Sequence, residues 1–365
     1  MSRSVLRRPR IYTCIHPTGI VLAIAFCGHN AFAQSAGGTT ASGVSNALNP
    51  AISVNGLFLG QWSDPSFPEE GLEIQEVEMA MTSVVDPYFK ANVIVAFDPN
   101  KSSPESEVAL EEAYATMTSL PSGFGLRVGR FLIPFGRHNQ LHAHVFPFVD
   151  PPHAMAAILG PESQSDVGAE LSYEPLIPWY LNLRVYGGDG SAEDVFGGDS
   201  KEMAGGARVE NLWDLSEATT LELAGSYLNG PAPQGGRRAL YGADLRLKYR
   251  DPRQTQGKAW EGVVELVRDE PEIGRHPFGI YAFLRTRVDR RFWIGAGYDV
   301  LSTVSDSTGE SGHEQEAKGQ LAFIPSEFSA VRLDLGWRAR LDAERELFAQ
   351  LQFNVTIGSH PAHAY

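Results

Sequence analysis

Val331–Asp342 reads VRLDLGWRARLD. Val331, Leu333, Leu335, Trp337, Ala339 and Leu341 occupy alternate positions, and Arg332, Asp334, Gly336, Arg338, Arg340 and Asp342 fill the positions between them. A period of two sends each set to its own side of a strand, so one face is apolar and the other carries the charge. The same alternation recurs upstream. Tyr241, Ala243, Leu245, Leu247 and Tyr249 oppose Gly242, Asp244, Arg246 and Lys248. Ile280, Ala282, Leu284, Thr286 and Val288 oppose Tyr281, Phe283, Arg285 and Arg287.

Segments of this kind predict strands at 52–62, 71–84, 88–97, 106–118, 124–133, 166–174, 179–187, 202–212, 218–229, 238–249, 258–268, 277–288, 291–302, 314–324, 329–341 and 346–357. The phase changes between Ile74 and Val77, which predicts a bulge in the second strand. Pro87, Pro121, Pro178 and Pro325 fall in gaps or at strand ends, where a residue without an N–H is tolerated. Every second connection is short, as at Asp86-Pro87, Pro175–Pro178 and Asp289-Arg290. Those between are longer, except the last, Asp342–Arg345. A soluble β-sandwich has no reason to alternate its loops in this way. An antiparallel barrel in an outer membrane does, having short periplasmic turns and long outer loops.

The N-terminus reads as an export signal, with Arg3, Arg7, Arg8 and Arg10, the apolar run Ile20–Phe26, and Ala31-Phe32-Ala33 before Gln34. The small-x-small triplet predicts cleavage after Ala33, giving a signal peptide at 1–33, a flexible leader at 34–50, a barrel at 51–358 and a tail at 359–365. Phe26 stands where a lipoprotein signal wants a small residue, so Cys27 is not expected to be lipidated. Both cysteines, Cys14 and Cys27, lie in the segment to be removed, so no disulfide is expected. Removal also takes four of the thirty basic residues and no acidic one, leaving 26 basic against 44 acidic. That balance excludes nucleic acid as a partner. No apolar run in the remainder is long enough for a membrane-spanning helix, which does not exclude a barrel whose backbone is satisfied between strands.

Trp62, Tyr88, Trp179, Tyr180, Trp213, Tyr249, Trp293 and Trp337 fall near predicted strand ends, where amphipathic rings suit the lipid–water interface. The charged faces are expected to line a lumen, because Arg or Lys facing lipid at mid-depth costs about 2–4 kcal/mol. The predicted pore lining is Arg184, Arg208, Asp244, Arg246, Arg285, Arg287, Arg332, Asp334, Arg338 and Arg340, with Glu210 on the same side. Opposed charges of this kind order water and favour polar solutes.

The longest connection, Pro134–Ser165, is the third outer loop. A loop of that length usually has a function. Its position resembles that of the enlarged third loop in the sixteen-stranded general porins, where the loop folds into the lumen as the constriction. Gly129-Arg130-Phe131 followed by Pro134-Phe135-Gly136 resembles the G-[KR]-F-x-x-P-F-G stretch of phosphate-selective-type porins. The continuation through His138-Asn139, Leu141-His142-Ala143-His144 and Pro147-Phe148-Val149-Asp150 is similar to Gram-negative outer-membrane proteins labelled porins or zinc-regulated TonB-dependent receptors. The resemblance implies a constriction formed by Arg127, Arg130, Arg137, His138, His142, His144, Asp150 and His153, and a homotrimer in outer-membrane lipid. The receptor label fits poorly, since a 22-stranded barrel and plug need more chain than this.

His142 and His144, at i and i+2, share a face if extended, and with Asp150 nearby they are weak metal candidates. Histidines in a polar loop more often pack or hydrogen-bond, so no metal or cofactor is expected. Their protonation near the usual value of about 6.5 makes conductance acid-dependent on this reading. No G-x-S-x-G or H-E-x-x-H motif is present, and Glu111-Glu112, being adjacent, are expected on opposite faces of a strand. The sequence thus predicts an all-β transmembrane antiparallel barrel of about sixteen strands with an enlarged third outer loop, acting as a passive diffusion channel for small polar solutes and not as an enzyme. A metal- or ligand-specific uptake receptor and a non-transporting structural or adhesive barrel are the alternatives.

Overall fold

The computed structural model describes residues 50–64, 71–98, 107–198, 202–253, 257–305 and 307–358. The predicted signal peptide and its cleavage site, residues 34–49 of the leader, and the tail at 359–365 lie outside them. Sixteen strands form: β1 (Ala51–Asp64), β2 (Gly71–Val84), β3 (Phe89–Asp98), β4 (Glu107–Met117), β5 (Phe124–Leu132), β6 (Ser165–Tyr173), β7 (Tyr180–Gly188), β8 (Ala204–Ser216), β9 (Thr219–Pro231), β10 (Arg237–Arg250), β11 (Ala259–Pro271), β12 (Phe278–Arg287), β13 (Phe292–Val304), β14 (Ser311–Ser326), β15 (Ser329–Ala339) and β16 (Glu346–Gly358). Each pairs antiparallel with its sequence neighbours, and β1 closes on β16 with Leu57 opposite Asn354 and Phe58 opposite Phe353. Closure leaves no strand edge unpaired, which is what a membrane demands of a sheet.

Alternation assigns the faces. On β16, Glu346, Phe348, Gln350, Gln352, Asn354 and Thr356 are buried inside the barrel, while Leu347, Leu351, Phe353, Val355 and Ile357 are exposed outside. The predicted bulge in β2 is present: Leu57 opposes Glu76 while Phe58 opposes Ile74, so Gln75 is the extra residue. A second bulge, unforeseen, lies in β4, where Ile94 opposes Glu112 and Val95 opposes Leu110.

The aromatic girdle is partly as expected. Trp62 is 53% exposed on the outer face, and Tyr249 stacks on Trp260 with ring centroids 6.2 Å apart, also outside. Trp293 and Tyr180 differ from expectation. Trp293 is buried inside with Ala259 and Ala322, beneath the Arg287 guanidinium 4.8 Å from its ring. Tyr180 shares the inward phase of Asn182 and Arg184. One residue of phase decides the side of the wall, and strand ends alone do not specify it.

The lumen also departs from a uniformly charged tube. Leu228, Leu240, Val263, Val267, Tyr281, Phe283 and Leu301, on the inward faces of β9 to β13, form one apolar cluster with residues of two loops. The first is L3, residues 133–164, which holds 3-10 turns at His138–Gln140 and Ala143–Val145 and helix α1 (His153–Leu159). It contributes Ile133, Phe135, Phe148, Ala154, Met155, Ile158 and Leu159. The second connects β7 to β8 and carries the short helix α2 (Glu193–Phe196), which adds Val195 and Phe196. The Arg238 guanidinium joins the two, donating to the carbonyls of Val195 (2.9 Å) and Ile158 (3.3 Å) while paired with Asp269.

Candidate functional site: a loop anchored across the lumen

L3 begins where the strand pattern of β5 is broken by Pro134, and Gly136 then takes a left-handed φ of +61°. A Cβ there would lie 2.1 Å from Glu265 Oε1 on β11, so the turn admits only glycine. Phe131 and Phe135, either side of the break, are buried in the apolar cluster. These contacts account physically for the Gly, Phe and Pro of the motif.

From this turn L3 meets successive walls. Glu265 accepts the backbone N–H groups of Arg137 and His138, both at 2.9 Å, and the Tyr281 hydroxyl at 2.8 Å. Ser226 of β9 accepts the Gly136 N–H. On the far side the Arg332 guanidinium of β15 donates to the carbonyls of Phe146 (2.9 Å) and His144 (3.3 Å), and Asp334 accepts the Val149 N–H (2.9 Å). Asn354 of β16 also donates to the His144 carbonyl. Asp150 bonds Gln350 at 2.6 Å and lies 3.4 Å from Arg338. Phe148 packs over Gly295 and Gly297 of β13, whose missing side chains make room for its ring. The loop is thus tied to opposite walls by backbone and charged groups together.

Most of the predicted constriction residues fall on or against L3, in differing surroundings. Arg127 pairs with Glu170 at 3.0 Å and lies 4.3 Å over the Phe131 ring. Arg137 pairs with Glu222 at 3.0 Å. Arg130 stands apart. Its cross-strand partners are Ala113 and Val167, on the phase opposite Arg127, and its Nε donates to Ser165 Oγ at the outer end of the wall. It is therefore not part of the constriction, because the strand keeps its alternation up to Leu132.

His138, His142 and His153 are not the charges titrating near neutral pH that the sequence suggests. His138 is 5% exposed, stacked on Phe146. Burial, with Lys318 nearby, pushes its pKa down to about 3. Burial also lowers that of His153, outweighing its 2.5 Å bond to Glu314, and Arg340 adds to the effect. Burial by itself favours a neutral His142. Hydrogen bonds to Glu111 and Glu112 and the charge of Glu78 override it and hold the ring well above the usual imidazole range.

Glu111 and Glu112 share His142 because the β4 bulge lets both neighbours face inward, contrary to the alternation expected of adjacent residues. His142 and His144 do meet, with rings stacked 6.0 Å apart, but against Glu76, Glu78 and Glu111 and not beside Asp150. Of the predicted lining, Arg208 makes two bonds to Asp244 (2.6 and 3.0 Å), Arg246 bridges Glu222 and Glu261, and Arg285 pairs with Glu261. Cavities lie on either side of the loop's anchors: Arg338 and Gln350, which hold Asp150, line one, and the loop residues Arg137 and Gln140 line another. The first, about 400 Å³, lies at the outer mouth, lined by Gln61, Arg338, Arg340, Glu344, Glu346 and Gln350. The other, about 280 Å³, is lined by Arg137, Gln140, Asn182, Arg184, Arg208 and Glu210.

A closed antiparallel barrel of sixteen strands is shared with solved structures. Pseudomonas putida OprB matches with a TM-score of 0.60 at 9% identity, over 85% of this chain and 94% of that one. The anion-selective porin from Comamonas acidovorans matches with a TM-score of 0.57 at 12% identity, over 84% of this chain and all of that one. The chain has the fold of the bacterial outer-membrane porins. No protein-family model matches the sequence. An uncharacterized protein of Aquifex aeolicus (strain VF5) is 27% identical over 340 residues, covering 81% of this chain and 71% of that protein. Sixteen strands also set this porin fold apart from the 22-stranded receptor barrels.

Proposed function

We propose that the protein is an outer-membrane porin, a passive diffusion channel for small hydrophilic solutes with L3 as its constriction. It is exported by the segment at 1–33 and assembles as the homotrimer that the porin resemblance implies. The carrying observation is the anchoring of L3 to both sides of the lumen, with charged, water-open cavities left beside it. Solutes that pass are then screened by fixed charges at close range. The inner cavity presents Arg137, Arg184 and Arg208 with Glu210, a setting for hydrated polar solutes and not for apolar ones. Nothing in this reading asks the barrel to perform chemistry, so it is not an enzyme.

Reconstitution into a planar lipid bilayer tests the proposal. Stepwise conductance that rises with salt concentration is the expected result. A folded barrel that produces no steps would overturn it in favour of a structural or adhesive role, and conductance appearing only with a bound ligand would favour a receptor.

A further inference from the structure

The bulges of β2 and β4 sit on neighbouring walls and serve one pocket. In β2 the extra residue Gln75 brings Glu76 into the inward phase with Glu78. In β4 the extra residue lets Glu111 and Glu112 both reach His142. Between them, on β3, the small Ala96 lies opposite Glu78. L3 covers this pocket with His142 and His144. Bulges that re-aim side chains in this way are typical of functional sites.

Among the described residues, the groups that meet here are four carboxylates and two imidazoles. Glu76, Glu78 and His144, all buried, each offer one ligand atom, and these atoms lie within 4.8 Å of one another. Glu78, Glu111 and His142 form a second such set, with Glu78 common to both. Glu76 is 6% exposed, and its Oε1 has no hydrogen-bond partner. A buried carboxylate oxygen with no donor is costly, and its neighbours here are further acids. A cation bound at this point would remove the cost.

We propose that the pocket binds one divalent transition-metal ion through Glu76, Glu78 and His144, and that the ion fastens L3 to the β2–β4 wall. Three protein ligands of mixed nitrogen and oxygen type suit Zn²⁺ or a similar ion, whereas Ca²⁺ and Mg²⁺ prefer oxygen alone. His142, whose Nδ1 lies 3.4 Å from Glu78 and 2.9 Å from Glu111, stands beside the ion and orients the Glu78 carboxylate. The site is independent of the channel reading, since it needs only the fold and the docked loop.

The test uses the folded, detergent-solubilised barrel, stripped with a chelator and titrated with Zn²⁺ by calorimetry and by thermal unfolding. One Zn²⁺ per chain and a raised midpoint are expected, with no comparable effect of Ca²⁺ or Mg²⁺. Glu76→Gln keeps the shape of the side chain and removes its charge, so the barrel should fold. It should weaken Zn²⁺ binding by about 100-fold, the upper end of what losing a ligand's supporting hydrogen bond alone costs. His144→Gln should act alike, while His276→Ala, at an exposed histidine bonded to Glu270, should leave binding intact. Co²⁺ in place of Zn²⁺ should give a visible spectrum that changes in His144→Gln. Failure of the wild-type barrel to bind Zn²⁺ in a one-to-one ratio would overturn the proposal. So would undiminished binding in Glu76→Gln, or Ca²⁺ binding as tight as that of Zn²⁺.

Discussion

Replacing Glu265 with alanine removes the carboxylate on which L3 turns into the lumen. Glu265 is 1% exposed, and its two oxygens hold the Arg137 and His138 N–H groups at 2.9 Å and the Tyr281 hydroxyl at 2.8 Å. A hydrogen bond contributes about 0.5–1.5 kcal/mol between neutral groups and about 1.5–3 kcal/mol to a charged one, so the two to L3 hold this limb by about 1–6 kcal/mol. Since each 1.4 kcal/mol is a factor of ten, a loss of about 3 kcal/mol raises the population of the undocked limb by about 100-fold. The strand ladders of β11 with β10 and β12 do not use this side chain, so the barrel should still close. Single-channel recording of the variant, with its folded state checked by resistance to detergent unfolding, should show larger mean conductance and greater open-channel noise. Glu265→Gln should fall between, because its amide keeps one acceptor oxygen but sets an NH₂ group against a loop N–H. A folded Glu265→Ala barrel with unaltered conductance and noise would refute the claim that this carboxylate holds the constriction.

Two further outcomes follow from the loop. Gly136→Ala forces a Cβ against Glu265 at a left-handed φ, and should lower stability by about 1–3 kcal/mol, read as an earlier thermal unfolding midpoint. Gly235→Ala, also at positive φ but with open space around it, should cost less, and an equal loss in both would show that the clash is immaterial. The second outcome concerns pH. His138, facing Lys318, Tyr281 and the backbone bonds to Glu265, has its folded value depressed to about 3, so the unfolded chain binds the extra proton below about 6.5. The docked loop therefore loses about 1.4 kcal/mol per pH unit as acid is added below 6.5, and none above it. With His153 also depressed, neither histidine changes charge between pH 7.5 and 6, and the channel noise that they contribute should rise only nearer pH 4. A step in conductance near pH 6.5 that disappears in His138→Gln would refute the assignment of a neutral buried His138.

The barrel was legible because lipid imposes one rule on every strand: alternate residues must be apolar, whatever faces the other way. Strand number and the alternation of short and long connections follow from that rule and from antiparallel closure. The lumenal contents obeyed no such rule. Leu228, Leu240 and Val267 face inward, so their strands are apolar on both sides in the outer half and lose their period there. Helix α1 was invisible because its seven residues follow Pro151-Pro152 in a segment that reads as loop. Glu111-Glu112 misled for a different reason. Adjacency means opposite faces only in an unbulged strand, and no residue type marked the bulge. Glu76 and Glu78 were half-legible, since the phase change beside them was read, but their partner histidines come from a loop about seventy residues away.

L3 is better described as a second core than as a flap. A water-filled lumen gives a loop no reason to stay, because its polar groups are satisfied equally well by solvent and its ordering costs entropy. Here Phe135, Phe148, Met155, Ile158 and Leu159 bury themselves on the apolar strip of β9 to β13, which supplies a driving force that water cannot match. The polar anchors at Glu265, Arg332 and Asp334 then fix position, since buried donors and acceptors left unmade would each be penalised. Stability and placement thus come from different residues of the same loop. The charges that remain beside it, at Arg137, Arg184, Arg208 and Glu210 within and at Arg338 and Glu346 at the mouth, are held on strands and an anchored turn, with Arg340 and Glu344 on the connection between β15 and β16. If the barrel conducts as proposed, a solute beside L3 meets these few charges, and they outweigh the chain's large negative total in setting what passes.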